Sequence, residues 1–159
     1  MNVFPLDDNL VISATYHVDS HIVKIPLECA QMLSTACRLY GYDVGYQKTH
    51  IYHPMSVWVR ESYSNYKWMI DYAKSLNEEW KYRFKHTVNH KAFDVIMSLP
   101  NMLGNGKLKD VGLTKMPLCM PDHCKVFGDT VASYRKYYVT EKRHLAKWKS
   151  RNVPIWWTN

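Results

Sequence analysis

Between His17 and Arg38 the chain reads HVDSHIVKIPLECAQMLSTACR. Wound as an α-helix at roughly 100° per residue, this stretch puts His17, His21, Lys24 and Glu28 within about 60° of one another, with Gln31 and Thr35 continuing the stripe. Ile22, Val23, Ile25, Leu27, Cys29, Ala30, Met32, Leu33 and Ala36 cover the other sides. A helix that is apolar over most of its circumference is usually buried, so the rest of the chain has to pack around it. Two imidazoles, an amine and a carboxylate are costly there unless they face a cavity, a ligand or each other. The polar stripe is therefore a candidate active site. A structural reading stands beside it. Asp19 or Ser20 can cap the helix and leave His17 outside it. Pro26 agrees with a start near Ser20, since proline is tolerated only in the first turn or so or at a kink. Lys24 and Glu28 are then an ordinary i, i+4 surface pair.

The flanking sequence predicts more helices and no strands. MNVFPLDD reads as an extended arm, after which Asp7 or Asp8 caps a short helix over Asn9–Tyr16. The main helix runs to about Tyr40. Gly41 and Gly45 then open a loop, and Pro54 suits the first turn of a short helix that continues over Met55–Glu61. Ser62 or Ser64 caps a long helix to Phe84. Its apolar positions Tyr66, Met69, Ile70, Ala73, Leu76, Trp80 and Phe84 follow a helical period. Thr87 is the expected cap of a helix to Leu99, and Asp129 of a last helix to Lys149. Residues 100–127, rich in proline and glycine, read as a long irregular segment. Trp156 and Trp157 are expected to dock on the core. The expectation is one all-α domain over residues 1–159, a helical bundle around one buried helix.

At 159 residues and 47% hydrophobic content the chain can bury a proper core. No apolar run approaches the roughly 18 residues of a membrane span, and no basic-then-apolar leader is present, so neither a membrane partner nor a signal peptide is expected. Cys29, Cys37, Cys119 and Cys124 include no CxxC pair. Reduced thiols in a cytoplasm fit this pattern better than a cysteine-built zinc site. The charge is uneven. Residues 1–60 and 61–100 are nearly neutral, whereas residues 101–159 carry eleven Lys/Arg against four Asp/Glu. Such asymmetry points to a polyanion partner, usually nucleic acid.

The clearest binding signal is SYRKYYVTEKRHLAKWKSR. Arg135, Lys136, Lys142, Arg143 and Lys147 can neutralise phosphates, and rings such as Tyr137 can stack on bases. A solvated helix face with its aromatics turned inward is the alternative. His50 and His53, with His17 and His21, or the pair His86 and His90, have metal-ligand spacings, but no acidic or sulfur ligand stands at a recognised distance, and no metal is expected. Arg60, Ser62, Asn65 and Tyr66 gather at a helix start that can hold a phosphate, although capping explains Ser62 equally well. No Gly-rich phosphate loop, GxSxG or HExxH occurs.

Asp19-Ser20-His21, then six residues, then Glu28 resembles the helix of pyrimidine-dimer DNA glycosylases of the endonuclease V type. Pro54 with the helix NYKWMIDYAKSLNEEWKYRF resembles that family's second long helix, and SYRKYY its basic aromatic end. The HxxHP and NYxW segments also resemble those of small phage-encoded proteins, which would act in a host cytoplasm. The likeness covers about half the chain, by pattern. It implies an all-α enzyme that flips a nucleotide and attacks the sugar C1′ with an amine, needing no cofactor. Glu28 takes the place of the catalytic glutamate. Leu27 stands where the family has an arginine. The family's nucleophile is an N-terminal amine exposed by removing Met1, but Asn2 is too large for efficient removal. Either the Met1 amine serves, or Lys24 does, or the chemistry is lost. A desolvated Lys24 near His21 is a chemically sensible substitute. The leading expectation is thus a DNA-acting glycosylase/AP lyase, with Glu28, Lys24 or Met1, and His21 at the reacting atoms. His17, His50, His53, Arg60, Asn65 and the basic helix would bind DNA. Two alternatives remain: an enzyme acting on a nucleotide or small phosphorylated metabolite, and a non-catalytic nucleic-acid-binding module.

Overall fold

The helix around which the chain is built is α2, Asp19–Leu39, and thirteen of its residues are buried. A computed structural model describes residues 1–102 and 108–157. Ile22, Ile25, Cys29, Met32, Leu33 and Ala36 form the apolar side of α2 and sit in a single core. Each large aliphatic side chain among them contributes about 1.5–3 kcal/mol by leaving water. The helix begins at Asp19 with Val18 as its N-cap and no side-chain capping bond. Pro26 lies well inside it, so the Ile22 carbonyl lacks its usual backbone donor.

Three helices pack on α2. The first, α3 (Pro54–Val59), starts on its proline, with the His53 ring accepting from the Met55 amide. The long helix α4 (Tyr63–Phe84) buries Tyr66, Met69, Ala73 and Leu76 of the expected stripe, leaves Ile70, Trp80 and Phe84 partly covered, and also buries Tyr72. The shorter α5 (Lys91–Met97) completes the layer. The N-terminal helix α1 (Leu10–Tyr16) lies across α4. Its cap is the Asn9 side chain rather than Asp7 or Asp8, and α5 is capped by His90 rather than Thr87. In both cases the helix starts later than expected; Asp7 instead accepts from the amide of Asn9, one residue ahead of α1. Among the described residues there is no strand, only an isolated bridge between Val126 and Asp129.

The last helix, α6 (Thr130–Glu141), is capped by Asp129 as expected but ends eight residues short of Lys149. Beyond it the chain turns through Arg143–Leu145 and binds the start of α2. The Lys147 carbonyl accepts from the Asp19 amide, the Lys149 amide donates to the Asp19 carboxylate, and the Trp148 indole donates to the Tyr16 carbonyl. A helix continued to Lys149 could not make these bonds. Trp156 and Trp157 dock as anticipated, Trp156 edge-on to Tyr16 and Tyr138, Trp157 against Trp148. Within the irregular 100–127 stretch, Asp122–Cys124 forms a 3-10 turn that packs on α6. Residues 103–107 of that stretch lie outside the described residues. No helix among the described residues is long and apolar enough to cross a membrane.

Candidate active site

The carboxylate of Glu28 is the centre of the site. It projects from the middle of α2, nearly covered, with a side-chain exposure of 11%. One oxygen, Oε2, lies 3.8 Å from the Met1 α-amine and accepts the Asn2 backbone N–H at 2.5 Å. The other, Oε1, lies 3.4 Å from the Lys24 ammonium one turn back, a side chain that is 71% exposed. Two amines therefore flank one carboxylate. The N-terminal arm is held there by its own contacts. The Asn2 side-chain amide donates to the Cys119 carbonyl at 2.8 Å, the Phe4 backbone N–H donates to the Tyr72 hydroxyl, and the Met1 side chain is buried beside Ser56.

These groups line a mostly polar cavity of about 260 Å³. Met1, Asn2 and Phe4 of the arm, His21, Lys24 and Glu28 of α2, and His53 form part of its wall. Tyr137 and Lys142, from the end of α6 and the residue after it, and Cys119 complete it. A larger cleft of about 470 Å³ runs along α1 and α4, but its carboxylates are already engaged, Asp71 by Lys67 and Glu79 by Arg83 and Arg151.

His21 forms one wall. Phe4 stacks on its ring with centroids 4.7 Å apart, and its Nδ1 meets the Tyr138 hydroxyl at 2.5 Å. Burial, then the charges of Lys142 and Lys24, bring its pKa down to about 4, so the imidazole is neutral at pH 7. Burial also lowers the His53 pKa, with the N-terminal amine adding to the effect. Among the described residues, the formal charges lining the cavity are then the Glu28 carboxylate and the amines of Met1, Lys24 and Lys142, a positive balance.

The predicted residues divide sharply. The structure brings together Glu28, Lys24, His21, Met1, His53, Tyr137 and Lys142. His17 belongs elsewhere. It is the C-cap of α1, fully buried, with Nδ1 at the Ser13 carbonyl and Nε2 at the Tyr72 hydroxyl. A carbonyl only accepts, so Nδ1 carries the proton and Nε2 accepts from Tyr72. His50 turns away to Thr49, and His86 and His90 pack on Trp80. The helix start of α4 is not an open phosphate site. The Asp110 carboxylate occupies it, accepting from both serine hydroxyls, Ser62 and Ser64, and from the Ser64 amide. Asn65 is buried, bridging the Trp58 carbonyl and Thr114, and Arg60 donates to the Ser56 carbonyl.

In the basic segment, Arg135 is structural. Its guanidinium donates to the Leu6 carbonyl and the Asp7 carboxylate and lies over the Tyr16 and Trp156 rings. Lys136, Arg143 and Lys147 are exposed, the Arg143 guanidinium lying over Trp157. Lys142 reaches across the Tyr137 ring at 4.9 Å. Sequence reasoning missed Asn2, Phe4 and Cys119 as cavity residues, and Tyr138, one of the rings of the basic segment, is buried against His21 rather than open to a base. Its i, i+4 spacing from the equally buried Tyr134 is the signal for that inward face. No protein-family model, curated protein or solved structure matches the chain.

Proposed function

We propose that the protein is a DNA-acting glycosylase/AP lyase whose amine nucleophile works beside Glu28. The observation that carries this reading is the α-amine of Met1 held 3.8 Å from a nearly covered carboxylate, at the wall of a cavity with a positive balance of charge. A free amine is needed to attack a sugar carbon. α-Amines are intrinsically weaker bases than lysine amines by two to three pH units, which favours Met1 over Lys24. The Met1 nitrogen bonds to C1′ as the glycosidic bond breaks. That bond's electron pair and a proton leave with the base. Opening of the sugar ring then gives an imine. Glu28 takes the proton from the attacking ammonium and faces the positive charge that develops on the sugar. Lys142 and the exposed Lys136 and Lys147 supply cations for the flanking phosphates, and Tyr137 offers a ring beside the cavity.

The test is reductive trapping. Borohydride added during incubation with duplex DNA carrying an abasic site or a defined lesion should yield a covalent protein–DNA adduct. Glu28→Gln should lower the trapped yield about 100-fold or more. Mass spectrometry of the trapped peptide should place the link on the N-terminal residue, and a two-residue N-terminal extension should abolish it. No adduct on any of several lesions, or an adduct unaffected by Glu28→Gln, defeats the reading. A link at Lys24 would keep the reaction class and reassign the nucleophile.

A further inference from the structure

At the C-terminal end of α6, next in sequence to Lys142 of the cavity but using none of the cavity's lining residues, three potential metal ligands of different chemistry converge. Cys124 closes the 3-10 turn Asp122–Cys124 and its thiol is buried, 3.3 Å from the Thr140 hydroxyl. His123, next to it, turns Nε2 to within 2.8 Å of Oε1 of Glu141, the last residue of α6. The sulfur, the ring nitrogen and the carboxylate oxygen all lie within 4.8 Å of one another, the one such group of three among the described residues.

We propose that His123, Cys124 and Glu141 form a zinc site. The donor set selects the ion. A thiolate with an imidazole suits zinc and disfavours magnesium and calcium, which take oxygen ligands. Tetrahedral zinc, with bonds of about 2.3 Å to sulfur and about 2.0 Å to nitrogen and oxygen, spaces its ligand atoms roughly 3.3–3.5 Å apart. Atoms at most 4.8 Å apart need to close by no more than about 1.5 Å to reach that spacing. Entry is open, because the His123 and Glu141 side chains are 60% and 40% exposed while the thiol lies beneath them. With three protein ligands, a water would complete the tetrahedron. Nothing in the set holds the ligands strongly against the metal, since an exposed His–Glu pair contributes little by itself. The adjacent Lys125 ammonium is engaged by Asp122. On binding, the Cys124 proton is released and the ion ties the 3-10 turn to the end of α6. Cys119, five residues before Cys124, and Lys142, directly after Glu141, both line the cavity described above. The ion therefore fixes two of its walls, whatever reaction the cavity carries out.

The test uses the full chain, reduced and stripped with a chelator, titrated with cobalt(II) and then zinc(II). One cobalt per chain should bind, with a near-ultraviolet charge-transfer band from the thiolate, and zinc should bleach the spectrum. Cys124→Ser should abolish that band, whereas Cys119→Ser should keep it. His123→Gln and Glu141→Gln sit at exposed positions and leave the fold intact. Each should weaken zinc binding at least about tenfold and remove the rise in thermal midpoint that zinc gives the parent protein. Absence of a thiolate band, its survival in Cys124→Ser, or unchanged zinc affinity in both exposed variants overturns the proposal.

Discussion

Acid should unfold this protein through two histidines, and the size of the effect can be worked out. Burial, then the neighbouring His21, takes the His17 imidazole from 6.5 down to about 3, and burial with nearby lysines takes His21 down to about 4. In the unfolded chain both rings take up protons near pH 6.5. Between that pH and the folded values, the unfolded state binds protons that the folded state refuses. The stabilisation is fully present above about pH 7 and is lost as the pH falls through this window. From pH 7 to pH 5 the protonated share of each unfolded ring rises from about a quarter to nearly all, which removes about 2 kcal/mol of stability per histidine. Urea unfolding followed by tryptophan fluorescence at the two pH values measures this. His17→Gln keeps hydrogen-bonding capacity towards Ser13 and Tyr72 but cannot titrate. Its loss between pH 7 and pH 5 should be smaller than that of the parent by about 2 kcal/mol, whatever its starting stability. Carboxylates contribute alike to both proteins and cancel. Equal losses in parent and variant would refute the argument.

Two further outcomes follow from the charged network and the basic segment. Arg83 is fully buried and donates to Glu79, Asp19 and the carbonyls of His17, Ala14 and Thr15, so Arg83→Met should cost about 3–5 kcal/mol in the same urea assay, because Asp19 and three carbonyls lose a donor in the interior. Lys142→Ala and Arg135→Ala should separate binding from folding: in duplex-DNA titrations at several salt concentrations the first should reduce the salt dependence by roughly one phosphate contact, while the second should show its main effect as a lowered thermal midpoint.

Local physics decided how much of this could be read from the residues alone. The apolar circumference of α2 and the periodic stripe of α4 identify both helices, because burial and helix geometry act over a few residues. Pro54 and Asp129 mark the starts of α3 and α6 for the same reason. What failed were features set by partners distant in sequence. The end of α6 depends on Asp19, more than a hundred residues earlier, which captures the backbone at Lys147 and Lys149. The helix-start phosphate site disappears because Asp110, in an irregular segment, supplies the anion. Arg135 reads as a phosphate ligand in sequence, but Leu6 and Asp7, far away in the chain, take its guanidinium. His17 and His21 share a stripe on paper, yet the backbone at Val18 is extended, so one ring is sealed in the core and the other faces the cavity.

The same long-range dependence explains why Glu28 is the informative residue. On α2 alone, Lys24 and Glu28 form a commonplace pair. The N-terminal arm changes that, because Asn2 and Phe4 anchor it to Cys119 and Tyr72 and so hold an amine against the second carboxylate oxygen. A carboxylate with one cation is satisfied. With the Met1 amine and Lys24 on either side and Lys142 in the same cavity, the amines exceed what the carboxylate can neutralise. Both imidazoles lining the cavity have lowered pKa values, so the excess resides on the amines. Such a cavity attracts an anionic group and repels a further cation. A phosphate-bearing ligand that enters would draw Lys24 and Lys142 towards itself, leaving Glu28 with the one amine that the fold holds beside it.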